Sequence, residues 1–181
     1  MYGENMKKDH WILIVFLLTF ILSVIFSTVS NIVAISCNNI VLFIILLLTI
    51  SLGIVFDLIG TAAITGKEST FHALNSKKIR GAKQGIFIIK NGNKISSVCN
   101  DIVGDICGII SGSLGAILAI SLSFTTGIDN TIISVVLAAF ISAFTVGGKA
   151  IFKVVAIKNA DSIILGVSKF LSIFGGNKWK Q

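Results

Sequence analysis

Asn100, Asp101 and Asp105 stand inside an apolar stretch, Val98–Gly115 (VCNDIVGDICGIISGSLG), that opens a run long enough to span a bilayer. Ionisable groups within a membrane span are costly and usually functional. Asp101 and Asp105 are four residues apart, so on a helix both project from one face. A hard divalent cation takes carboxylate, amide, hydroxyl and carbonyl oxygens, and magnesium keeps part of its water as well. Thr65 and Glu68, just past the preceding apolar run, add a hydroxyl and another carboxylate. Thr65, Glu68, Asn100 and one or both of Asp101 and Asp105 would therefore suit such an ion, with Mg2+ as a candidate. The competing reading is that the acids only pair with Lys149 and Lys153, two residues able to snorkel to the interface.

The same stretch carries Gly104, Gly108 and Gly112 at a spacing of four, with Ser111 and Gly115 beside them. Small residues at that spacing let a second helix approach closely, within one chain or across a homodimer.

The elements that must position these residues are helices in lipid. Of 181 residues, 54% are hydrophobic and 13% charged. The mean hydropathy is +0.95. A chain with so little charge would aggregate as a soluble domain, and its long unbroken apolar runs exclude the alternation of barrel strands. The expectation is an all-α integral membrane protein with four transmembrane helices. Residues 1–10 form a polar tail. Trp11–Ile35 is the first span, too long for the apolar core of a signal peptide, with Trp11 as an interfacial aromatic. Further spans are expected at about 40–64 (broken near its end by Asp57 and Gly60), 97–124 and 131–156. Between them, 65–94 is a basic segment with helices over Gly66–Arg80 and Gln84–Ile89 and a turn at Asn91-Gly92. An amphipathic juxtamembrane helix follows at 161–174, then a basic tail at 176–181.

All fifteen Lys and Arg fall before Trp11, within 65–94, or from Lys149 onward. Positive charge marks the cytoplasmic side, so both termini are expected inside, in the plasma membrane. The net charge of +7 is then a topology signal, and no nucleic-acid module accompanies it. Cys37, Cys99 and Cys107 form no disulfide framework, and with His10 and His72 they make no soft-metal cluster. No nucleophile–base pair or phosphate loop is visible, so an enzyme is not expected and no cofactor is called for.

Several short motifs, in order, resemble the transmembrane domain of the CNNM and CorB/CorC family, which is linked to magnesium and cobalt transport. Thr65-Gly66-Lys67-Glu68, followed by Ser69–Arg80 (STFHALNSKKIR), is similar to the family's Ser-x-Ser-Glu and basic helix. Cys99-Asn100 stands where the family has Gly-Asn. Gly148-Lys149-Ala150-Ile151-Phe152-Lys153 stands where it has a Gly-Glu-x-x-Pro-Lys type motif before a juxtamembrane helix. The resemblance covers about residues 41–175 and leaves the first span as an addition. It implies a homodimeric transporter, capturing a divalent cation from the cytoplasm at Glu68, Asn100 and Asp101 and releasing it outside. It also implies a domain without the paired CBS module of its relatives, with a separate CBS-containing or regulatory protein as a further partner. The departures are Lys67 for a serine, Lys149 for a glutamate, Phe152 for a proline and Gly104 for an asparagine. A cation beside a cation site opposes ion binding, so the alternative is a non-transporting membrane subunit or regulator that keeps the fold with a degenerate ion site.

Overall fold

A computed structural model describes residues 2–174, with the side chains of 2–12, 15, 33–36 and 174 outside that description. Trp11 and the basic tail from Lys178 therefore lie outside the described side chains. Among the described residues the fold is all-helical. The helices are α1 (Tyr2–Ser36), α2 (Asn39–Thr65), α3 (Glu68–Ser76), α4 (Ala82–Lys90), α5 (Gly92–Thr126), α6 (Asn130–Lys158) and α7 (Ala160–Phe174). Three of them, α2, α5 and α6, are long and apolar enough to cross a membrane. The first expected span lies in α1, whose described apolar stretch is Phe16–Ile32. The expected polar tail is itself helical from Tyr2 and continuous with α1.

The chain forms two compact units: residues 1–52 with 105–145, and 53–104 with 146–181. In the first, the buried rows are Leu42, Leu46 and Ile50 on α2 and Cys107, Ser111, Leu114 and Leu118 on α5. Their spacing of three and four is one helical face each. Ser121 Oγ donates to Asn39 Oδ1 at 2.5 Å, and Phe43, Phe140 and Phe144 stack in sequence. Asp129 caps α6 by accepting the Thr131 N–H at 2.8 Å. No residue in the most apolar window of α6 is buried, an exposure suited to a lipid solvent. Gly108 and Gly112 have nothing within 4 Å of where a Cβ would stand. The close helix contact expected there is not made within the described chain. It falls instead at Gly115, whose added Cβ would overlap Ile141.

In the second unit the core is Phe71 with Ala62, Ala63, Ile88, Ala156, Ala160 and Ile164. Phe71 is fully buried, its ring lying on Gly85 where any side chain would overlap it. That burial contributes about 2–3 kcal/mol. It joins α3, α4 and α7 into one layer at the roots of the long helices. The α3 helix stops in a Schellman turn: Lys78 N–H donates to Asn75 O and Ile79 N–H to Leu74 O, with Lys78 left-handed at φ 53°. Gly81, at φ 91°, then starts α4 with its backbone against Ser168 and Lys169 of α7, a place for glycine on both counts. The second span is not broken at Gly60 as expected; α2 runs on to Thr65.

The N-terminus of α3 has no cap of its own, since Lys67 offers no acceptor. Asp161, in the first turn of α7, supplies one. Its Oδ1 accepts the Lys67 N–H at 2.8 Å and its Oδ2 the Thr70 hydroxyl at 2.9 Å. Losing a cap costs about 1–2 kcal/mol. Asp161→Ala is expected to lower the thermal midpoint in detergent, and Asp161→Asn, which keeps an acceptor oxygen, to recover part of the loss. Equal midpoints for Asp161→Ala and the parent would refute the capping role.

Candidate functional site

The polar centre of the second unit is built on a break in helical regularity. Residues Ser97–Val103 of α5 form a π-helical turn, in which the Gly104 N–H reaches back to Cys99 O. Single π turns are uncommon and concentrate at functional sites. The turn carries Asn100 toward α2. Asn100 Nδ2 donates to Ser96 Oγ at 3.2 Å. Its Oδ1 is buried and, among the described residues, accepts no hydrogen bond. An amide carbonyl without a partner in an apolar setting costs about 1–3 kcal/mol.

Gly60 makes the arrangement possible. A Cβ there would overlap Asn100 Oδ1, and Cys99 Cβ would be 3.1 Å away. Farther along, Gly92 packs on the Ala63 backbone. The two helices therefore run antiparallel at backbone distance. Ser96, which accepts the Asn100 amide hydrogen, is a buried hydroxyl residue. The resulting chemistry is a set of neutral oxygens, amide and hydroxyl, in an apolar wall.

The other expected ligands are exposed or hold partners of their own. Thr65 is exposed and spends its hydroxyl hydrogen on Thr61 O at 2.9 Å. It lines a concavity of about 360 Å3 with Lys67, Lys158, Asn159, Asp161 and Ser162. Glu68 Oε1 meets His72 Nε2 at 3.0 Å and Lys90 Nζ at 3.4 Å. The His72 hydrogen bond, helped by the Lys90 ammonium, holds the Glu68 carboxyl below its usual range. Asp101 is exposed and accepts from Ser97 Oγ at 2.8 Å. Asp105 is exposed and belongs to the other unit. Among the described residues no three His, Cys, Asp or Glu side chains gather as a metal group. Nor do Lys149 and Lys153 pair with the acids there; the described ion pairs are those of Glu68. Lys149 Nζ instead lies 3.4 Å from where a Gly104 Cβ would stand, at the end of the π turn.

Sequence reasoning singled out Asn100 but missed Gly60 and Ser96 as its surroundings. The available signal was a glycine within an apolar span, which marks close approach as readily as a break. No family model, no curated protein and no solved structure matches the chain.

Gly60→Ala is the direct test of this geometry. The added methyl overlaps Asn100 Oδ1, so the amide must turn away or the helices part. A loss of about 1–3 kcal/mol is expected from overpacking, read as a lower thermal midpoint. In Gly60→Ala/Asn100→Ala the overlap is gone, and the midpoint should rise above that of Gly60→Ala alone. Additive losses would show that the two residues do not touch.

Proposed function

We propose that this protein moves a hard divalent cation, of the magnesium or cobalt type, outward across the membrane. The observation that carries the reading is Asn100 Oδ1: a buried oxygen acceptor without a partner, set in a π turn against a glycine. It would take one position on the ion. The Ser96 hydroxyl and main-chain carbonyls of the turn are the nearest further donors, and magnesium's retained waters complete the shell. Within this unit the carboxylates Glu68 and Asp101 would raise the local cation concentration rather than enclose the ion. Thr65 has a similar outer place.

The topology that goes with this reading has four spans, the first in α1, and both termini in the cytoplasm of the plasma membrane. The protein acts as a homodimer through the open small-residue face of Gly108 and Gly112, with a CBS-containing or regulatory protein as a separate partner. A second reading, a membrane subunit or regulator without an ion path, is favoured by one observation. The Lys149 ammonium lies beside Gly104, where it opposes a cation by charge repulsion.

Ion binding separates the two. Millimolar magnesium should raise the thermal midpoint of the wild type in detergent, by an amount that grows with the logarithm of concentration. Asn100→Ala should abolish most of the rise. Liposomes holding the purified protein should pass magnesium, cobalt or manganese when each is tested separately. With no magnesium-dependent shift and no flux, the regulator reading stands.

The orientation has its own test. An impermeant thiol reagent applied to sealed cells should label Cys37, which lies in the α1–α2 link and is partly exposed. It should not label Gln84→Cys. Labelling at position 84 would invert the topology.

A further inference from the structure

The concavity that Thr65 lines lies where α2 and α6 end, within the second unit, and cation transport has no use for its chemistry. Lys67, two residues past the end of α2, and Lys158, the last residue of α6, both line it. Both are exposed, and the ion pairs among the described residues leave them out. The one acid on the wall is Asp161. Its two oxygens are spent on the Lys67 N–H and the Thr70 hydroxyl. Two ammonium groups against one carboxylate leave a single positive charge. Asn159, the only residue between α6 and α7, and Ser162 add an amide and a hydroxyl as neutral donors. Thr65 adds none, since its hydrogen goes to Thr61 O. Such a wall suits one singly charged oxyanion.

Ile157 completes the lining and carries it on to apolar surface. Val146, Val154 and Ile157 are 68%, 52% and 54% exposed. Their spacing of eight and three sets them on one side of α6. From Val146 to Ile157 this strip is about 16 Å long, and one leaflet of hydrocarbon is about 15 Å deep. Lys153, also exposed, stands on the same side one turn before Ile157. Its stem can carry the ammonium to the level of the concavity. We infer that the concavity holds the phosphate of one anionic phospholipid, with Lys67 and Lys158 upon it and the acyl chains along the Val146–Ile157 strip of α6. Basic pockets at the ends of membrane spans bind acidic headgroups in this way. A free oxyanion could meet the same donors, but nothing in it would occupy the strip. A polyanion such as RNA brings far more negative charge than the wall can offset.

The test uses the full chain in neutral detergent, titrated with phosphatidylglycerol or phosphatidylcholine and read by native mass spectrometry. Phosphatidylglycerol should bind about twentyfold tighter, and K67Q/K158Q should lose most of that preference at about fivefold per lysine. The Lys67 N–H survives in this variant, so the Asp161 cap is kept. The control K77Q/K94Q, which removes equal charge from residues outside the lining, should change little. A second measurement needs no variant. Phosphatidylglycerol with a photoreactive group on its headgroup should crosslink to the wild type within residues 65–67 and 157–162. Equal affinity for the two lipids overturns the inference, as does an equal loss in K77Q/K94Q or crosslinking centred elsewhere. So does displacement of the lipid by millimolar inorganic phosphate, which would mark a free-phosphate site.

Discussion

An unpartnered amide oxygen in an apolar wall is the constraint around which the second unit is arranged. Asn100 Oδ1 cannot be hydrated by a bilayer and is not bonded by its neighbours among the described residues. Leaving such a group empty costs folding free energy. The surrounding features lower that cost or depend on it. Gly60 opens the space, the π turn turns Asn100 into it, and Ser96 holds the amide nitrogen so that the oxygen faces α2.

The charged groups divide into two populations by environment. Glu68, Asp101 and Asp105 are exposed or paired, and in that setting a carboxylate can steer a cation without being desolvated. Lys149 Nζ lies against the end of the π turn, 3.4 Å from where a Gly104 Cβ would stand. On the proposed reading, the same turn holds both the candidate oxygen ligand and an ammonium that would oppose a cation. The long flexible lysine stem can withdraw that ammonium toward water.

The layer of α3, α4 and α7 gives these groups a fixed frame. Phe71 fastens it apolarly and Asp161 fastens it polarly, each by a contact that spans the unit. Movement of α7 would pull directly on the Lys67 N–H, and so on the link between α2 and α3 that carries Thr65. The junction of α6 and α7 is for that reason mechanically connected to the residues at the end of α2.

Much of this was legible in the residues themselves. The apolar runs located α2, α5 and α6 to within a few positions, because lipid solvation acts on each segment separately and leaves its mark in composition. The amphipathic pattern of residues 161–174 likewise announced α7, and the lone Asn100 announced a polar centre. Other features required partners about forty to a hundred residues apart. The meeting of Gly60 with Asn100, the capping of α3 by Asp161 and the tie between Arg80 and Ser172 are matters of register between helices. Periodicity tells which face of a helix is apolar, but not how far one helix slides along another. That was decided by side-chain packing: Phe71 over Gly85, and Gly92 on the Ala63 backbone. The π turn is of the same kind. Its residues have no π-helical signature, and its Asn100 meets Gly60 of the neighbouring helix only through the register of the two helices.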